Sequence, residues 1–428
     1  KSIGEKMRID IKNFAKIKEA SVQIDGITVI AGENNTGKST VGKVLFSLFN
    51  ATVNMEEHVN NYRYEKIRSL VSWSVDNLHN RMLGSENIWE KQRIITRKQI
   101  VRIVNEVMTL TSEEDVYAAL AGWLESLKWD SLDDVTEKIL RELSEQIFQT
   151  MQIEEQKIYR MLIDGYFSKV FHGQVNNIYH PGSKAEIDLC IHEQHLSLEF
   201  EEQKCRINRM EFQTNHEAVY IDSPFLLDRM NDYWYYEGNE QENLLLKKLV
   251  SDNEKERNLI DEIMVAEKLD EIFGMFDRMF EGKLVKDEDD EYRMHYHDKV
   301  LEIPNLSTGI KSFTIIRRLL ERGELKEKDV LILDEPEIHL HPQWQLVYAE
   351  IIVLLQKHFD LSIIITTHSP YFLDAIELYS GKHEIADKVH YYLTDGKEEA
   401  VLEEVSDHLD AIYEKLAAPL DELDSIRY

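Results

Sequence analysis

The sequence predicts an α/β fold in which a mixed sheet is interrupted by inserted helices. Three short, largely apolar runs carry this prediction, because each lies beside a helical pattern: Ile27–Ala31, Val330–Leu333 and Ile363–Ile365. Such runs are typical of parallel strands that are buried on both faces. Two further observations support it. Residues 186–212 show short strand-like runs that indicate an antiparallel meander, and residues 50–171 show helical apolar spacing with few breakers.

Taken in order, the pattern divides the chain into five segments. Strand-like runs at Met7–Ile11 and Ala20–Ile24 come before the first apolar run, and a glycine-bearing loop and a helix come after it. The predicted segments are the first part of the sheet domain (1–50), a helical insertion (51–180), the meander (181–223), a second helical insertion (224–283) and the rest of the sheet domain (284–428).

The composition limits the classes of binding partner and indicates the cellular compartment. The formal net charge of −30 opposes a broad electrostatic grip on DNA, because phosphate binding relies on Lys and Arg. An acidic surface suits solubility and docking to proteins. The only cysteines, Cys190 and Cys205, lack CxxC or CxxH neighbours, so we expect reduced thiols in a cytoplasmic protein. We expect Met7 to be the natural start, and we see no signal peptide or membrane-spanning run.

The loop after the first apolar strand fits the pattern G-x-x-x-x-G-K-[ST]. Its glycines let backbone N–H groups turn towards a polyanion, and the helix that follows adds its positive end. Lys38 is expected to reach the β- and γ-phosphates and Ser39 to supply a hydroxyl to Mg²⁺. The predicted nucleotide-binding residues are Gly32, Glu33, Asn34, Asn35, Thr36, Gly37, Lys38, Ser39 and Thr40.

Two acids end the apolar strand Val330–Leu333. Neighbouring side chains of an extended backbone point apart, so Asp334 and Glu335 are able to take different roles. We expect Asp334 to hold the magnesium shell and Glu335 to polarise the attacking water. Two acids after a buried strand would be costly without a cation or hydrogen-bond donors nearby.

Two further features flank this pair along the chain. Ser307-Thr308-Gly309-Ile310-Lys311 comes directly before a helix and forms a second anion-binding helix start. His368 follows the apolar strand Ile363–Ile365, and ligands of such sheets bind beyond the carboxyl ends of the strands. We therefore expect His368 to contact the γ-phosphate or the water.

These elements, in this order, resemble the ABC-type ATPase superfamily, and most closely its branch of OLD-type and RecF-like ATPases. Asp334–Pro342 resembles that branch's D-E-P-E-x-x-L-H-P run, and Gly32–Asn35 resembles its G-x-N form of the phosphate loop. The resemblance covers about Met7 to Phe49 and about Leu301 to Leu373. It implies an ATPase head with a mixed sheet, an antiparallel β subdomain and an inserted helical arm, with ATP and Mg²⁺ as cofactors.

The resemblance also implies a head-to-tail homodimer or a higher homo-oligomer. The phosphate loop of one copy would then face residues of the other copy that complete the site in trans: Ser307, Thr308, Gly309 and Lys311. Catalysis would rest on Glu335, His368 and Lys38. By the same analogy Glu337–His341 lies at the dimer seam, where His339 and His341 either pack and cap or act as metal ligands.

One element departs from the family pattern. ABC-type ATPases carry a glutamine after a strand that joins the magnesium shell, whereas here the corresponding strand, Ala218–Ile221, is followed by Asp222-Ser223-Pro224. Gln203 and Gln213 lie upstream of that strand. The glutamine is therefore left without an assignment.

The resemblance leaves two functions open. Many OLD-type proteins carry a C-terminal Toprim nuclease, but we expect none here because little chain follows His368. The leading hypothesis is a bacterial anti-phage defence ATPase that regulates a separate effector, a nuclease or a toxin. The alternative is a DNA-binding repair or recombination ATPase. That hypothesis rests on a possible basic helix face made of Arg93, Arg97, Lys98 and Arg102, whose charge reversal would abolish salt-dependent DNA binding.

Overall fold

A computed structural model describes residues 7–83, 96–127, 133–180, 182–250, 259–396 and 398–417. The chain forms two compact units. The first comprises the described residues up to Val53 together with those from Leu162 onward, and the second comprises Asn54–Met161. The second unit lies within the predicted helical insertion, 51–180.

The strands of the first unit follow one another as β1 Met7–Phe14, β2 Ile17–Gln23, β3 Ile27–Ala31, β4 Ala185–Ile191, β5 Gln194–Glu201, β6 Lys204–Met210, β7 Ala218–Ile221, β8 Lys283–Lys286, β9 Tyr292–Tyr296, β10 Lys299–Glu302, β11 Val330–Asp334, β12 Ser362–Thr367, β13 Val389–Asp395 and β14 Ala400–Glu404. Among the described residues, β8–β10 form a small antiparallel sheet and the other strands form one large sheet.

The large sheet joins a parallel block to an antiparallel block. Strands β7, β11, β12, β3 and β13 are neighbours in that order and all run parallel. Strands β2, β1, β4, β5 and β6 are antiparallel neighbours. Strand β14 connects the blocks, antiparallel to β13 and parallel to β2. The predicted mixed sheet with an antiparallel subdomain is confirmed.

The helices in chain order are α1 Lys38–Thr52, α2 Met55–Leu83, α3 Arg97–Val107, α4 Glu113–Ser126, α5 Asp134–Met151, α6 Glu155–Val170, α7 Glu240–Val250, α8 Leu259–Met279, α9 Thr308–Glu321, α10 Pro342–Phe359 and α11 Pro370–Lys382. A 3₁₀ segment, Pro224–Tyr235, follows β7. No helix in the described part of the chain combines the length and apolar character needed to cross a membrane.

Helices cover both faces of the parallel block, as the all-apolar strands predicted. Leu331 and Leu333 of β11 belong to the same core as α9, α10 and α11. Between them, Ile332 points to the opposite face, where it meets α1. The contact is close because α1 carries Gly42 there: a Cβ on this glycine would lie 2.8 Å from Cγ2 of Ile332. The sheet and α1 are thereby fixed to each other beside the phosphate loop.

The second predicted helical insertion shares the core of the sheet domain. Leu246 of α7 and Phe276 of α8 are fully buried in the same apolar cluster as Phe313 of α9 and Tyr348 of α10. The rings of Phe276 and Phe313 meet edge to face, with centroids 6.1 Å apart. Burial of each such ring stabilises the fold by roughly 2 kcal/mol. These helices therefore cover the sheet.

The second unit is a set of helices with its own core. Helices α2 to α5 enclose buried aliphatic side chains from each of them, such as Val71, Val104, Leu120 and Leu143. Side chains cap three of these helices at the start: Thr96 in a capping box with Gln99, Ser112, and Asp133.

Candidate functional site

The phosphate loop leaves the carboxyl end of β3 and enters α1 through backbone conformations that favour glycine. Gly32 has φ 149° and Gly37, at the helix N-cap, has φ 82°. A Cβ on Gly32 would lie 2.0 Å from Oγ1 of Thr394 on β13. That threonine also meets the Thr36 hydroxyl at 2.6 Å. Thr394 thus contacts the loop at two points, Gly32 and Thr36, while the N-terminus of α1 stays open to an anion.

Lys38 folds back across this loop. Its buried ammonium donates to the carbonyl oxygens of Gly32 at 3.1 Å and Glu33 at 2.7 Å. Burial lowers the pKa of Lys38, while the carboxylates of Glu335, Asp334 and Glu337 oppose that shift. Glu33 and Asn34 themselves are exposed.

Three hydroxyl groups hold the carboxylate of Asp334. Ser39 donates to its Oδ1 at 2.9 Å, Thr366 of β12 donates to the same oxygen, and Tyr220 of β7 donates to Oδ2 at 2.6 Å. Tyr220 is buried, and burial followed by the charge of Asp334 raises its pKa well above the usual value, so the phenol remains a donor. Ser39 and Asp334, expected to share the magnesium shell, are therefore in direct contact.

The residues around Asp334 fit a magnesium ion. Hydroxyl and carboxylate oxygens are the ligands that Mg²⁺ prefers, and such sites use one or two carboxylates together with substrate phosphates. Ser39 presents a hydroxyl group and Asp334 a carboxylate beside the phosphate loop. These two residues are the ones that could hold the ion.

Glu335 takes an unusual backbone conformation directly after β11. Its φ of 52° lies in the left-handed region, and its N–H is held by the carbonyl and hydroxyl oxygens of Thr366. Its Oε1 lies 2.7 Å from Nε2 of His368, which follows β12. The two atoms are close without hydrogen-bond alignment, and this nitrogen has no hydrogen-bond partner among the described residues. The parallel strands β11 and β12 bring the two groups together.

Lys38, Ser39 and Glu335 line one cleft of about 380 Å³ in the first unit, whereas Asp334 and His368 are not among its described lining residues. One wall is the phosphate loop from Asn35 to Thr40, and Glu335 lies in the cleft as well. The remaining lining residues are Ala15, Lys16, Gln174 and Ile178. The predicted trans residues Ser307, Thr308, Gly309 and Lys311 are not among the described residues that line this cleft.

The helix start at Ser307 has the predicted form. Ser307 is exposed and caps α9, accepting the N–H of Ile310 at 3.4 Å. The Thr308 hydroxyl donates to the carbonyl oxygen of His339 at 3.4 Å, which links this start to the turn after β11. Gly309 has a packing requirement of its own, since a Cβ there would lie 2.7 Å from the ring of Trp344.

Lys311 is engaged within its own subunit. Only 2% of it is exposed, and its ammonium donates to Asp228 at 2.8 Å and to the carbonyl oxygen of Pro304 at 3.3 Å. The sequence expectation that Lys311 contacts nucleotide in trans does not fit this placement, because a lysine buried in an ion pair is costly to extract.

Sequence reasoning missed two residues of the site, Tyr220 and Thr366. Both lie on strands that flank Asp334, in a register that pairs Ile221 with Leu333 and Thr366 with Asp334. The sequence carries a weak signal, since Tyr220 is the hydroxyl-bearing residue of β7 and Thr366 directly follows the apolar run Ile363–Ile365 of β12. Gln203, considered for the missing glutamine, accepts the backbone N–H groups of Val175 and Asn176 instead.

The site agrees with the family to which the sequence is matched. Residues 7–373 match the profile of the AAA ATPase domain family. The chain belongs to this family. It is an ATPase of the P-loop type, and the OLD-like branch indicated by its motifs is confirmed by the relatives below.

Two relatives match parts of the chain. The OLD nuclease of Thermus scotoductus is 33% identical over 85 residues, 19% of this chain and 16% of the relative. The Septu protein PtuA of Bacillus thuringiensis is 32% identical over 117 residues, 24% of this chain and 28% of the relative. The chain thus matches less than a third of either relative's length.

Among solved structures, the SMC head domain from Thermotoga maritima aligns with 94% of this chain and 99% of its own, at 12% identity and a TM-score of 0.39.

Proposed function

We propose that this ATPase hydrolyses Mg²⁺-bound ATP in the cleft at the phosphate loop, and that a second copy of the chain completes the site. One observation carries the proposal: the bond between Ser39 and Asp334 lies beside the close contact of Glu335 and His368. Metal-binding oxygens and a candidate base are thus gathered at the carboxyl ends of adjacent parallel strands, where ligands of such sheets bind.

Each residue has a role that its position supports. The N–H groups of the loop and the start of α1 bind the phosphates, and Lys38 exchanges its carbonyl partners for the β- and γ-phosphate oxygens. Glu335 orients the attacking water and accepts its proton, and His368 contacts the water or the γ-phosphate. Mg²⁺, held by Ser39 and Asp334, would neutralise charge that develops on the phosphate oxygens.

A second copy is proposed to supply Ser307, Thr308 and Gly309. In one chain these residues do not line the described cleft, although Ser307 is exposed and caps the start of an α-helix. Such a start presents N–H groups and a positive dipole end to an anion. The proposal omits Lys311 because of its buried pair with Asp228.

At the cellular level, we propose that the chain is the ATPase and regulator of a bacterial anti-phage defence system, cytoplasmic, with a separate nuclease or toxin as its effector. The local similarity to an OLD nuclease and to a Septu protein supports this proposal. A nuclease or toxin gene beside the gene for this chain would support it directly, and its partner should co-purify with the ATPase.

DNA repair remains the second candidate. Arg97, Lys98 and Arg102 are exposed on α3, as a phosphate-binding face requires, while Arg93 lies outside the described residues. DNA binding that weakens steeply with salt would favour this candidate over protein docking.

The ATPase proposal is tested by Lys38→Ala. Loss of the ammonium removes the main cation at the phosphates, so we expect nucleotide binding and turnover to be abolished, and chelation of Mg²⁺ to stop turnover in the wild type. Lys357→Ala, a change at an exposed lysine of α10, serves as the control. Wild-type turnover by Lys38→Ala, measured as phosphate release, would overturn the proposal.

A further inference from the structure

A buried carboxyl group, that of Glu337, lies beneath the end of β12. Only 4% of this residue is exposed. Its Oε1 accepts two hydrogen bonds, from the Thr367 hydroxyl at 2.6 Å and from the backbone N–H of His368 at 2.9 Å. Its Oε2 is buried and has no hydrogen-bond partner in the part of the chain that the structure describes. The side chain of Glu337 thus bonds directly to the main chain of the residue that contacts Glu335.

The main chain of Glu337 is held just as closely. The side-chain amide of Gln345 on α10 donates to the carbonyl oxygens of Glu337 and Leu340, at 3.3 and 3.2 Å. The oxygen of the same amide accepts the Ser369 hydroxyl at 2.9 Å. The turn after β11 and the turn after β12 are therefore tied together on both sides of His368.

Packing does not account for a carboxyl group at this position. Burial raises the pKa of Glu337, which means that the environment disfavours its charged form. A buried acceptor without a partner is destabilising, and a well-packed apolar side chain is often the more stable choice. What an apolar side chain lacks is an acceptor for the N–H of His368.

We infer that Glu337 is a positioning residue of the ATPase site, which fixes His368 relative to Glu335 through the N–H of His368. The inference rests on the hydrolytic function proposed above. Glu337 is 4% exposed and is not among the described residues that line the cleft, so we expect it not to touch the nucleotide. It acts on turnover through the placement of the imidazole, and nucleotide binding at Lys38 and the loop proceeds without it.

The test compares Glu337→Leu with Glu337→Gln. Leucine removes the acceptor, and because a displacement of about 1 Å costs on the order of 100-fold in rate, we expect kcat to fall about 10- to 100-fold. Affinity for a fluorescent ATP analogue should stay close to that of the wild type. Glutamine keeps an acceptor oxygen and should restore most of kcat. The control is Glu324→Leu, at a buried acid before β11 whose partner is Lys248; it should lower thermal stability without lowering kcat.

A double-mutant cycle separates positioning from general destabilisation. If Glu337 acts through His368, Glu337→Leu should cause little further loss of kcat in a His368→Ala background. If Glu337→Leu does not fold, Gln345→Leu takes its place in the cycle, with the same expectation. Unchanged kcat in the folded single variant, no rescue by Gln, or additive losses in the cycle would overturn the inference. In each of these cases the proposed function would still stand if the wild-type protein hydrolysed ATP and the Lys38→Ala variant did not.

Discussion

At the scale of the residue, Tyr220 makes a contact that no motif indicated. Its hydroxyl donates to Asp334 inside a fully buried environment. In Tyr220→Phe, one carboxylate oxygen loses its only protein donor among the described contacts, and Asp334 is less firmly oriented. Loss of a hydrogen bond to a charged group costs about 1.5–3 kcal/mol. We expect a lower free energy of unfolding and a higher Mg²⁺ concentration for half-maximal turnover.

A matched tyrosine controls for the loss of a buried hydroxyl. Tyr392 is also buried, and its hydroxyl oxygen accepts the N–H of Gln23, which is not a site residue. Tyr392→Phe should lower stability while the Mg²⁺ titration of turnover stays unchanged. If the two variants shift that titration equally, Tyr220 has no special relation to the metal site.

The residues found from sequence and those missed differ in how they reach the site. Lys38, Asp334 and Glu335 follow from patterns confined to one strand and the loop after it, so spacing alone predicts them. The structure does bring Glu335 and His368 together. Tyr220 and Thr366 depend on the register of strands far apart in the chain, which local spacing does not encode.

At the scale of the element, the start of α9 is the surface expected to close on the nucleotide of a second copy. Ser307→Arg removes the N-cap and places a bulky cation there. We expect turnover to fall at least tenfold, which corresponds to at least about 1.4 kcal/mol of activation free energy, while nucleotide binding by the single chain persists. Loss of the cap itself costs about 1 kcal/mol.

Another N-cap in the same chain isolates the effect of the lost cap. Ser112 caps α4 in the second unit and accepts the N–H of Asp115 at 3.1 Å. Ser112→Arg should lower helix stability by a similar amount and leave turnover unchanged. Normal turnover in Ser307→Arg would show that the start of α9 takes no part in the site.

Gly309 illustrates why a motif residue can have two separate requirements. Close approach of a phosphate favours a glycine, but the ring of Trp344 requires one too, because a Cβ would lie 2.7 Å from it. A substitution at Gly309 would therefore disturb α9 and α10 whether or not a nucleotide binds there. Ser307, which is exposed, is the sharper probe of a site shared between copies.

At the scale of the whole molecule, the sequence predicted the parallel strands and the meander because each carries its own apolar pattern. The sequence did not predict that β14 joins the two blocks of the sheet. That strand pairs with β13 along one edge and with β2, from the opposite end of the chain, along the other edge. The sequence predicted that the helices α7 and α8 form an insertion, yet their apolar faces share the core with α9 and α10. Amphipathic spacing predicts which face of a helix is buried, but it does not predict which element packs against that face.

The central claim, a nucleotide held between two copies, is tested most directly by the mass of Glu335→Gln in solution with Mg²⁺ and ATP. The variant keeps the phosphate loop but lacks the proton acceptor, so it should bind ATP without hydrolysing it. Light scattering should then report a stable dimer that requires ATP and is lost in Glu335→Gln/Ser307→Arg. A Glu335→Gln protein that stays monomeric with ATP bound, together with a wild-type monomer that turns over ATP, would contradict the account.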